Sequence, residues 1–127
     1  MDNKRKFLRC EICGTLVGMI EDRGPTVVCC GQPMTELKAN TADAAQEKHV
    51  PACVREGDVL TVSVGSVPHP MIPEHYIGWI AAAQGAVTQR VTLDHTGEPK
   101  ATFRLTDDGP VSVYAWCNLH GLWVAEA

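Results

Sequence analysis

The sequence predicts a mainly β protein in which a small metal-binding knuckle domain precedes an antiparallel β-sandwich. Four of the six cysteines lie within the first thirty residues. Several later segments alternate apolar and polar side chains with a period of two, as half-buried strands do. Turn-forming residues separate these segments and no long helical period is present, so an antiparallel sandwich is favoured.

Composition limits the classes of function. The length of 127 residues suits one ordinary domain or a small domain joined to a medium one, and 45% hydrophobic residues support a packed core. A net charge of −4 leaves no basic surplus to neutralise phosphates, which argues against nucleic acid as a partner. No apolar run is long enough to span a bilayer, so no membrane partner is expected. Residues 1–9 lack an apolar stretch, which predicts no secretory signal and a cytoplasmic location.

The cysteine-rich and histidine-containing parts of the chain predict two domains. The first covers residues 1–37 and the second residues 38–127, with the small and polar residues 38–46 as a linker. In the first domain, residues 15–20 and 26–28 are β-prone and are separated by a turn. A domain of this size is too small to be stable on its hydrophobic core alone, so it needs a staple.

The four N-terminal cysteines predict that staple, a metal site. Cys10 and Cys13 form a Cys-x-x-Cys-Gly knuckle, and the adjacent Cys29 and Cys30 supply the second pair. Cytoplasmic cysteines more often bind metal than form disulfides. Successive side chains of a strand point to opposite faces, so the backbone at Cys29-Cys30 must bend for both to reach one ion, giving a distorted tetrahedron. Iron and zinc both accept four thiolates, so either metal fits.

The strands of the predicted sandwich each present one apolar face. The predicted inward residues are Leu60, Val62, Val64, Ile77, Trp79, Ala81, Val87, Val91, Leu93, Ala101, Phe103, Leu105, Val111, Val113 and Ala115. Residues 107–110 form a turn between the last two runs. Cys117 continues the inward face of the final run, and His120 follows three residues later.

A second metal site is predicted from three short segments, residues 47–51, 69–75 and 117–121. Their candidate ligands are His49, His69, His75, Cys117 and His120. Prolines flank the first three histidines and stiffen their loops, which lowers the entropy lost in holding a ligand. Four histidines and one cysteine are too many for a closed zinc site and too nitrogen-rich for an iron–sulfur cluster. A metal with these five ligands keeps at most one position for a small ligand.

A non-enzymatic electron carrier is the alternative, with a zinc knuckle joined to a cupredoxin-like copper site. Blue-copper proteins also place a late cysteine and histidine in a β-sandwich, but they use two histidines, one cysteine and a weak axial methionine. This chain has no methionine after Met71 and two histidines more than copper requires. His95 lies in a turn and is expected to be solvated, and Cys53 is expected to be a small buried hydrophobe.

Taken together, these motifs resemble desulfoferrodoxin, the two-iron form of superoxide reductase, over nearly the whole chain. The resemblance implies a desulforedoxin-like N-terminal domain with iron held by four cysteines, and an immunoglobulin-like sandwich with a square-pyramidal iron. It implies equatorial nitrogens from His49, His69, His75 and His120, and an axial thiolate from Cys117. One departure from the family is Gly78, where an acidic residue would be expected.

The resemblance also implies a reaction and its partners. Superoxide would be reduced to hydrogen peroxide with one electron and two protons, without release of oxygen, in defence against oxidative stress. Lys48 would attract the anion and organise a proton-donating water, and Glu47 would cap the oxidised iron after peroxide leaves. A small electron-transport protein such as rubredoxin would supply electrons, and the chain would form a homodimer through its N-terminal domain.

Overall fold

The computed structural model describes residues 2–127 and divides them into two compact units. One unit is Lys4–Lys38, and the other is Ala39–Ala127 together with residues 2–3. Strands are the main regular structure of both units, in agreement with the predicted class. Among the described residues, no helix has both the length and the apolar character that crossing a bilayer requires.

The smaller unit consists of short strands. They are β1 (Lys6–Arg9), β2 (Leu16–Met19), β3 (Val28–Cys29), β4 (Gln32–Pro33) and β5 (Thr35–Glu36). One sheet has the order β2-β1-β5, and β3 pairs with β4 in a separate antiparallel hairpin. Its buried apolar side chains are Phe7, Leu8 and Cys10. So small an apolar interior agrees with the expectation that the cysteines must hold this unit together.

The larger unit is the predicted antiparallel sandwich. Its elements are α1 (Gln46–His49), β6 (Pro51–Glu56), β7 (Val59–Val64), β8 (Ile77–Gln84), β9 (Val87–Thr92), β10 (Lys100–Arg104), β11 (Ser112–Cys117) and β12 (Gly121–Glu126). One sheet has the order β10-β7-β6 and the other β12-β11-β8-β9. Side chains from both sheets form one core, which includes Leu60, Val62, Ile80, Phe103, Val113 and Cys117.

Most of the predicted inward residues are buried, and the three exceptions, Val87, Val91 and the partly buried Leu93, lie in or directly after strand β9. Val87 and Val91 are each 36% exposed, so their predicted burial is wrong. The reason is that β9 lies at the edge of its sheet and pairs only with β8. Strand β8 differs in the opposite sense, because Ile80 and Ala82, which alternate with the predicted inward residues Trp79 and Ala81, are buried as well and belong to the core shared by both sheets.

A β-bulge at Gly78 lies next to the segments that carry the second candidate site. Trp116 of β11 pairs with Trp79 of β8, and Cys117 pairs with Ile77, so Gly78 is skipped in the register between these two strands. A Cβ atom at Gly78 would lie 3.2 Å from Cδ1 of Trp116. A side chain at this position would press on the indole ring, so the glycine bears on local packing beside the bulge.

Candidate metal centres

The structure brings the four N-terminal cysteines together. Their sulfur atoms all lie within 4.8 Å of one another, and all four are free thiols. The knuckle is shaped by backbone bonds: the Cys13 N–H donates to Sγ of Cys10 at 3.5 Å, and the Gly14 N–H donates to the Cys10 carbonyl at 2.9 Å. Gly14 has φ of +81°, a conformation that favours glycine and lets the chain turn back towards the sulfur atoms.

The adjacent cysteines reach one site because the backbone turns sharply between them. Cys30 and Gly31 are the two residues between β3 and β4, with φ of 52° and 74°. Positive φ at both central residues is typical of a tight two-residue hairpin. The predicted bend at Cys29-Cys30 is confirmed, and a non-glycine residue in this conformation is uncommon.

The thiols in this cluster affect one another's protonation. A hydrogen bond with the Thr15 hydroxyl, 3.1 Å from the sulfur, is the main cause that lowers the pKa of Cys13 to about 6. Cys29 lies 3.7 Å from that sulfur, and the interaction with Cys13 raises its pKa to about 12. One thiolate therefore forms easily, and its presence makes the ionisation of a second thiol harder. Four sulfur donors with this mutual repulsion fit a bound divalent or trivalent cation.

The second cluster forms where α1, the loop before β8 and the turn after β11 meet. The donor atoms of His49, His69, His75 and Cys117 lie within 4.8 Å of one another. His69 Nε2 is 3.2 Å from His49 Nε2 and 3.4 Å from Cys117 Sγ. His120 also belongs to this cluster, and it faces the other donors with Nδ1 rather than Nε2. Its Nδ1 is 3.2 Å from His49 Nε2 and 3.9 Å from Cys117 Sγ. All five predicted residues are brought together.

Hydrogen bonds on the far side of two rings aim lone pairs into this cluster. His49 Nδ1 is 2.7 Å from the Ala45 carbonyl, and His69 Nδ1 is 2.7 Å from the Pro70 carbonyl. Each Nδ1 must carry the proton to donate to a carbonyl, which leaves Nε2 unprotonated. Burial lowers the pKa of His49, and it lowers that of His69 to about 4, so both rings are neutral near pH 7. Two facing lone pairs at 3.2 Å repel each other unless a cation lies between them.

The remaining donors fit the same conclusion. Nε2 of His75 is buried and has no hydrogen-bond partner among residues 2–127. Sγ of Cys117 is fully buried, and burial raises the pKa of its thiol. The His120 N–H donates to this sulfur at 3.4 Å and favours the thiolate. An orphaned imidazole nitrogen and a buried sulfur within one nitrogen-rich cluster fit a bound transition-metal ion.

Trp123 is a contributor that the sequence did not reveal. Its ring stacks on His49, with centroids 4.9 Å apart and an angle of 27° between the planes. Its Nε1–H donates to the His120 carbonyl at 3.2 Å. The available signal was the hairpin register: Cys117 pairs with Gly121 and Ala115 with Trp123, which places Trp123 on the same face as the thiol.

Glu47 and Lys48 lie beside the cluster on the exposed side of α1. The Lys48 charge lowers the pKa of His49 and the Glu47 charge raises it, although burial is the larger cause of the His49 shift. The Glu47 carbonyl accepts hydrogen bonds from the Val67 N–H at 2.9 Å and the Ser66 hydroxyl at 3.3 Å. These bonds hold α1 against the loop that follows β7.

Three other residues considered in the sequence lie outside the clusters. His95 is exposed, as predicted for a solvated turn residue. Cys53 is half-buried and packs against the sandwich core. Sδ of Met71 accepts the Ile77 N–H at 3.3 Å, and Met71 also packs against the core, so its sulfur already has a hydrogen-bond partner.

Comparison with known proteins matches both units to one family. The family described as "Desulfoferrodoxin, N-terminal domain" matches residues 2–37, and that described as "Desulfoferrodoxin" matches residues 41–126. A desulfoferrodoxin of Syntrophotalea carbinolica is 43% identical over 99% of both chains. A superoxide reductase of Pyrococcus horikoshii is 35% identical over 73% of this chain and 96% of its own. The crystal structure of the superoxide reductase from Treponema pallidum has a TM-score of 0.78 and 38% identity, covering 96% of this chain and 98% of that one.

Proposed function

The chain belongs to the desulfoferrodoxin family, and we propose that it is a superoxide reductase with two iron ions per chain. The reaction is O₂•⁻ + e⁻ + 2H⁺ → H₂O₂ at the histidine–cysteine centre. The observation that carries this function is the convergence of four imidazole nitrogens and one buried thiol on a single site. Relatives that match the sandwich over most of their own length are named superoxide reductases.

Each cluster supplies the ligands for one iron in this proposal. Cys10, Cys13, Cys29 and Cys30 would hold the first, and His49, His69, His75, Cys117 and His120 the second. When bound in its ferrous state, the second iron supplies the single electron that superoxide requires. Zinc fits four thiolates equally well by coordination chemistry, and iron is the choice at the first centre because the family holds two irons.

The protein prepares the second centre before any metal arrives. Bonds to the Ala45 and Pro70 carbonyls keep protons off the inward nitrogens of His49 and His69. Trp123, 1% exposed, covers one face of the His49 ring and excludes water from that side. The His120 N–H stabilises negative charge on Cys117 in a place where burial alone would protonate it. Rigid ligands of the correct protonation state lose little entropy on binding a metal.

Lys48 and Glu47 are proposed to act on the substrate side. Lys48 is exposed next to His49. Burial is the main cause that lowers the pKa of His75, and the positive charge of Lys48 lowers the pKa of both His75 and His49 further, so this charge acts on the cluster. A cation there attracts superoxide, an effect that weakens as salt rises, and it can organise a water that donates a proton. Glu47 is proposed to close the centre after peroxide leaves, since it is exposed on the same short helix.

The cellular setting completes the proposal. A small electron-transport protein of the rubredoxin type supplies the electron, and the chain acts as a homodimer in cytoplasmic detoxification of superoxide. Residues 1–37 and 38–127 are proposed as the functional domains, joined by residues 38–46. Family membership supports these statements, and the separate matches at residues 2–37 and 41–126 support the division into domains.

Metal analysis and product analysis test the function together. The expected result is two irons per chain and formation of hydrogen peroxide without oxygen when the reduced protein meets superoxide. One zinc and one copper per chain, with no peroxide formed, would favour the electron carrier instead. Met71 is the single methionine in residues 38–127, and its Sδ already accepts the Ile77 N–H, which counts against a methionine as the axial copper ligand.

A further inference from the structure

Asn118 links the two turns that carry the C-terminal ligands. It lies between Cys117 and His120, and its side chain reaches the residues on both sides of His75. The Tyr76 N–H donates to Oδ1 of Asn118 at 2.9 Å, and Nδ2 of Asn118 donates to the Glu74 carbonyl at 3.0 Å. Its main chain adds a third bond, from the Asn118 N–H to the Tyr76 carbonyl at 3.2 Å.

His75 depends on its backbone more than the first two histidines do. The rings of His49 and His69 are each fixed by a carbonyl that lies 2.7 Å from Nδ1, whereas no such carbonyl contact is seen at the ring of His75 among the described residues. Its turn is rigid within itself, because Ile72 and His75 exchange two main-chain bonds of 3.0 and 3.1 Å. These two bonds do not fix the distance between the His75 turn and the turn that follows Cys117.

We propose that Asn118 is a positioning residue that fixes His75 relative to Cys117 and His120, and so sets the metal affinity of this centre. An amide is suited to this task because the two main-chain groups it meets require one acceptor and one donor. Serine is too short to span both groups, and aspartate lacks the donor for the Glu74 carbonyl. The inference rests on the proposed iron centre, and it adds a residue that touches neither metal nor substrate.

Replacement of Asn118 by Ala tests this role, and Asn3→Ala is its matched control. Asn3 also makes one donor and one acceptor bond to main chain, from its Nδ2 to the Pro110 carbonyl and from the Gly85 N–H to its Oδ1, both 2.7 Å. Both asparagines are half-buried, and Asn3 joins turns that carry no candidate ligand. Both variants therefore lose two side-chain bonds, but only one loses them beside His75.

The readout is the Fe²⁺ affinity of the histidine–cysteine centre, measured by chelator competition, together with the energy of its ferric thiolate absorption band. Loss of partners that orient metal ligands weakens metal binding by about 10- to 100-fold, and this loss is expected for Asn118→Ala. The band should shift as well, whereas Asn3→Ala should keep both affinity and band. The four-cysteine centre of the same chain is an internal control that neither variant should alter.

Asn118→Asp keeps the acceptor for the Tyr76 N–H and is the second variant, should the alanine variant not fold. Its affinity should fall measurably below that of the wild-type protein. Wild-type affinity and band in either folded Asn118 variant would overturn the inference. If the wild-type protein binds no iron at this centre, the proposed function itself is wrong. If the wild-type and Asn118→Ala proteins bind iron equally well, the role of Asn118 is wrong and the proposed function stands.

Discussion

The two centres differ in how their ligands are held and in how much of each is buried. Three of the four N-terminal cysteines are at least partly exposed, and tight turns of the main chain place them. At the other centre, His49 and His69 are each 3% exposed and Cys117 is fully buried, and the packed sandwich places them. At the four-cysteine centre, the metal would hold a small unit together. At the histidine–cysteine centre, the folded sandwich would hold the metal.

This difference leads to opposite expectations for metal removal. The Lys4–Lys38 unit has three buried apolar side chains, so most of its stability should come from the cysteine-bound metal. The sandwich has a core shared by two sheets, so it should stay folded when its metal is removed.

Cys117→Ser should abolish both the thiolate-to-iron absorption band and the reduction of superoxide. The thiol is a proposed ligand in a fully buried position, and a serine hydroxyl cannot replace a thiolate donor. Visible spectroscopy and peroxide production provide the measurements. Cys53→Ser, at a half-buried cysteine outside both clusters, is the control and should retain both signals. Retention of both signals by the Cys117 variant would show that the thiolate assignment is wrong.

Cys13→Ser should remove the N-terminal iron and unfold the Lys4–Lys38 unit, while the sandwich continues to react with superoxide. The sulfur of Cys13 lies at the centre of the thiol network, 3.7 Å from that of Cys29. Amide hydrogen exchange would show loss of protection in the first unit alone. Loss of protection throughout the chain would mean that the two units fold as one.

Gly65→Ala should displace α1 and weaken both metal binding and activity. A Cβ atom at this position would lie 2.5 Å from the Glu47 carbonyl oxygen and 3.0 Å from the carbonyl carbon of Lys48. Overpacking of this kind typically lowers the free energy of unfolding by about 1–3 kcal/mol. The expected loss includes iron affinity at the histidine–cysteine centre, measured by chelator competition.

The control for that variant is Gly97→Ala, in an exposed turn of the same unit. There, the nearest atom to an added Cβ is the Asp94 carbonyl at 4.0 Å, an ordinary contact. Chemical denaturation should show little change for Gly97→Ala. Equal stability and equal iron affinity in the two glycine variants would contradict the assigned role of Gly65.

Lys48→Ile should slow the encounter with superoxide several-fold at low ionic strength and leave iron content unchanged. The lysine acts through its charge, so the difference from the wild-type protein should shrink as salt is added. Pulse radiolysis at several salt concentrations measures this rate. Arg90→Ile removes an exposed charge on the edge strand β9 and should have a much smaller effect. A wild-type rate for Lys48→Ile at low salt would exclude steering by this residue.

Local patterns in the sequence predicted the features that depend on neighbouring residues. Alternation located most of the buried strand residues, and the cysteine and histidine spacings identified all members of both clusters. The exposure of Val87 and Val91 could not be predicted, because alternation does not tell an edge strand from an interior one.

Features that depend on tertiary packing were also missed. Which nitrogen of each histidine faces the cluster depends on a carbonyl that only the folded chain supplies, such as that of Ala45 for His49. The close approach of Gly65 to α1, and the bonds from Asn118 to the residues around His75, join segments that are separate in sequence. A single sequence carries no local signal for such contacts.

We expect the sandwich centre alone to reduce superoxide. This expectation is tested most directly by the products of Cys13→Ser protein, loaded with one ferrous iron per chain, on reaction with superoxide. The expected result is one hydrogen peroxide for each iron oxidised and no evolution of oxygen. Oxygen release in proportion to superoxide consumed would indicate dismutation, and an inert protein with an intact thiolate band would place the reaction elsewhere. Either result would show that the sandwich centre is not a superoxide reductase.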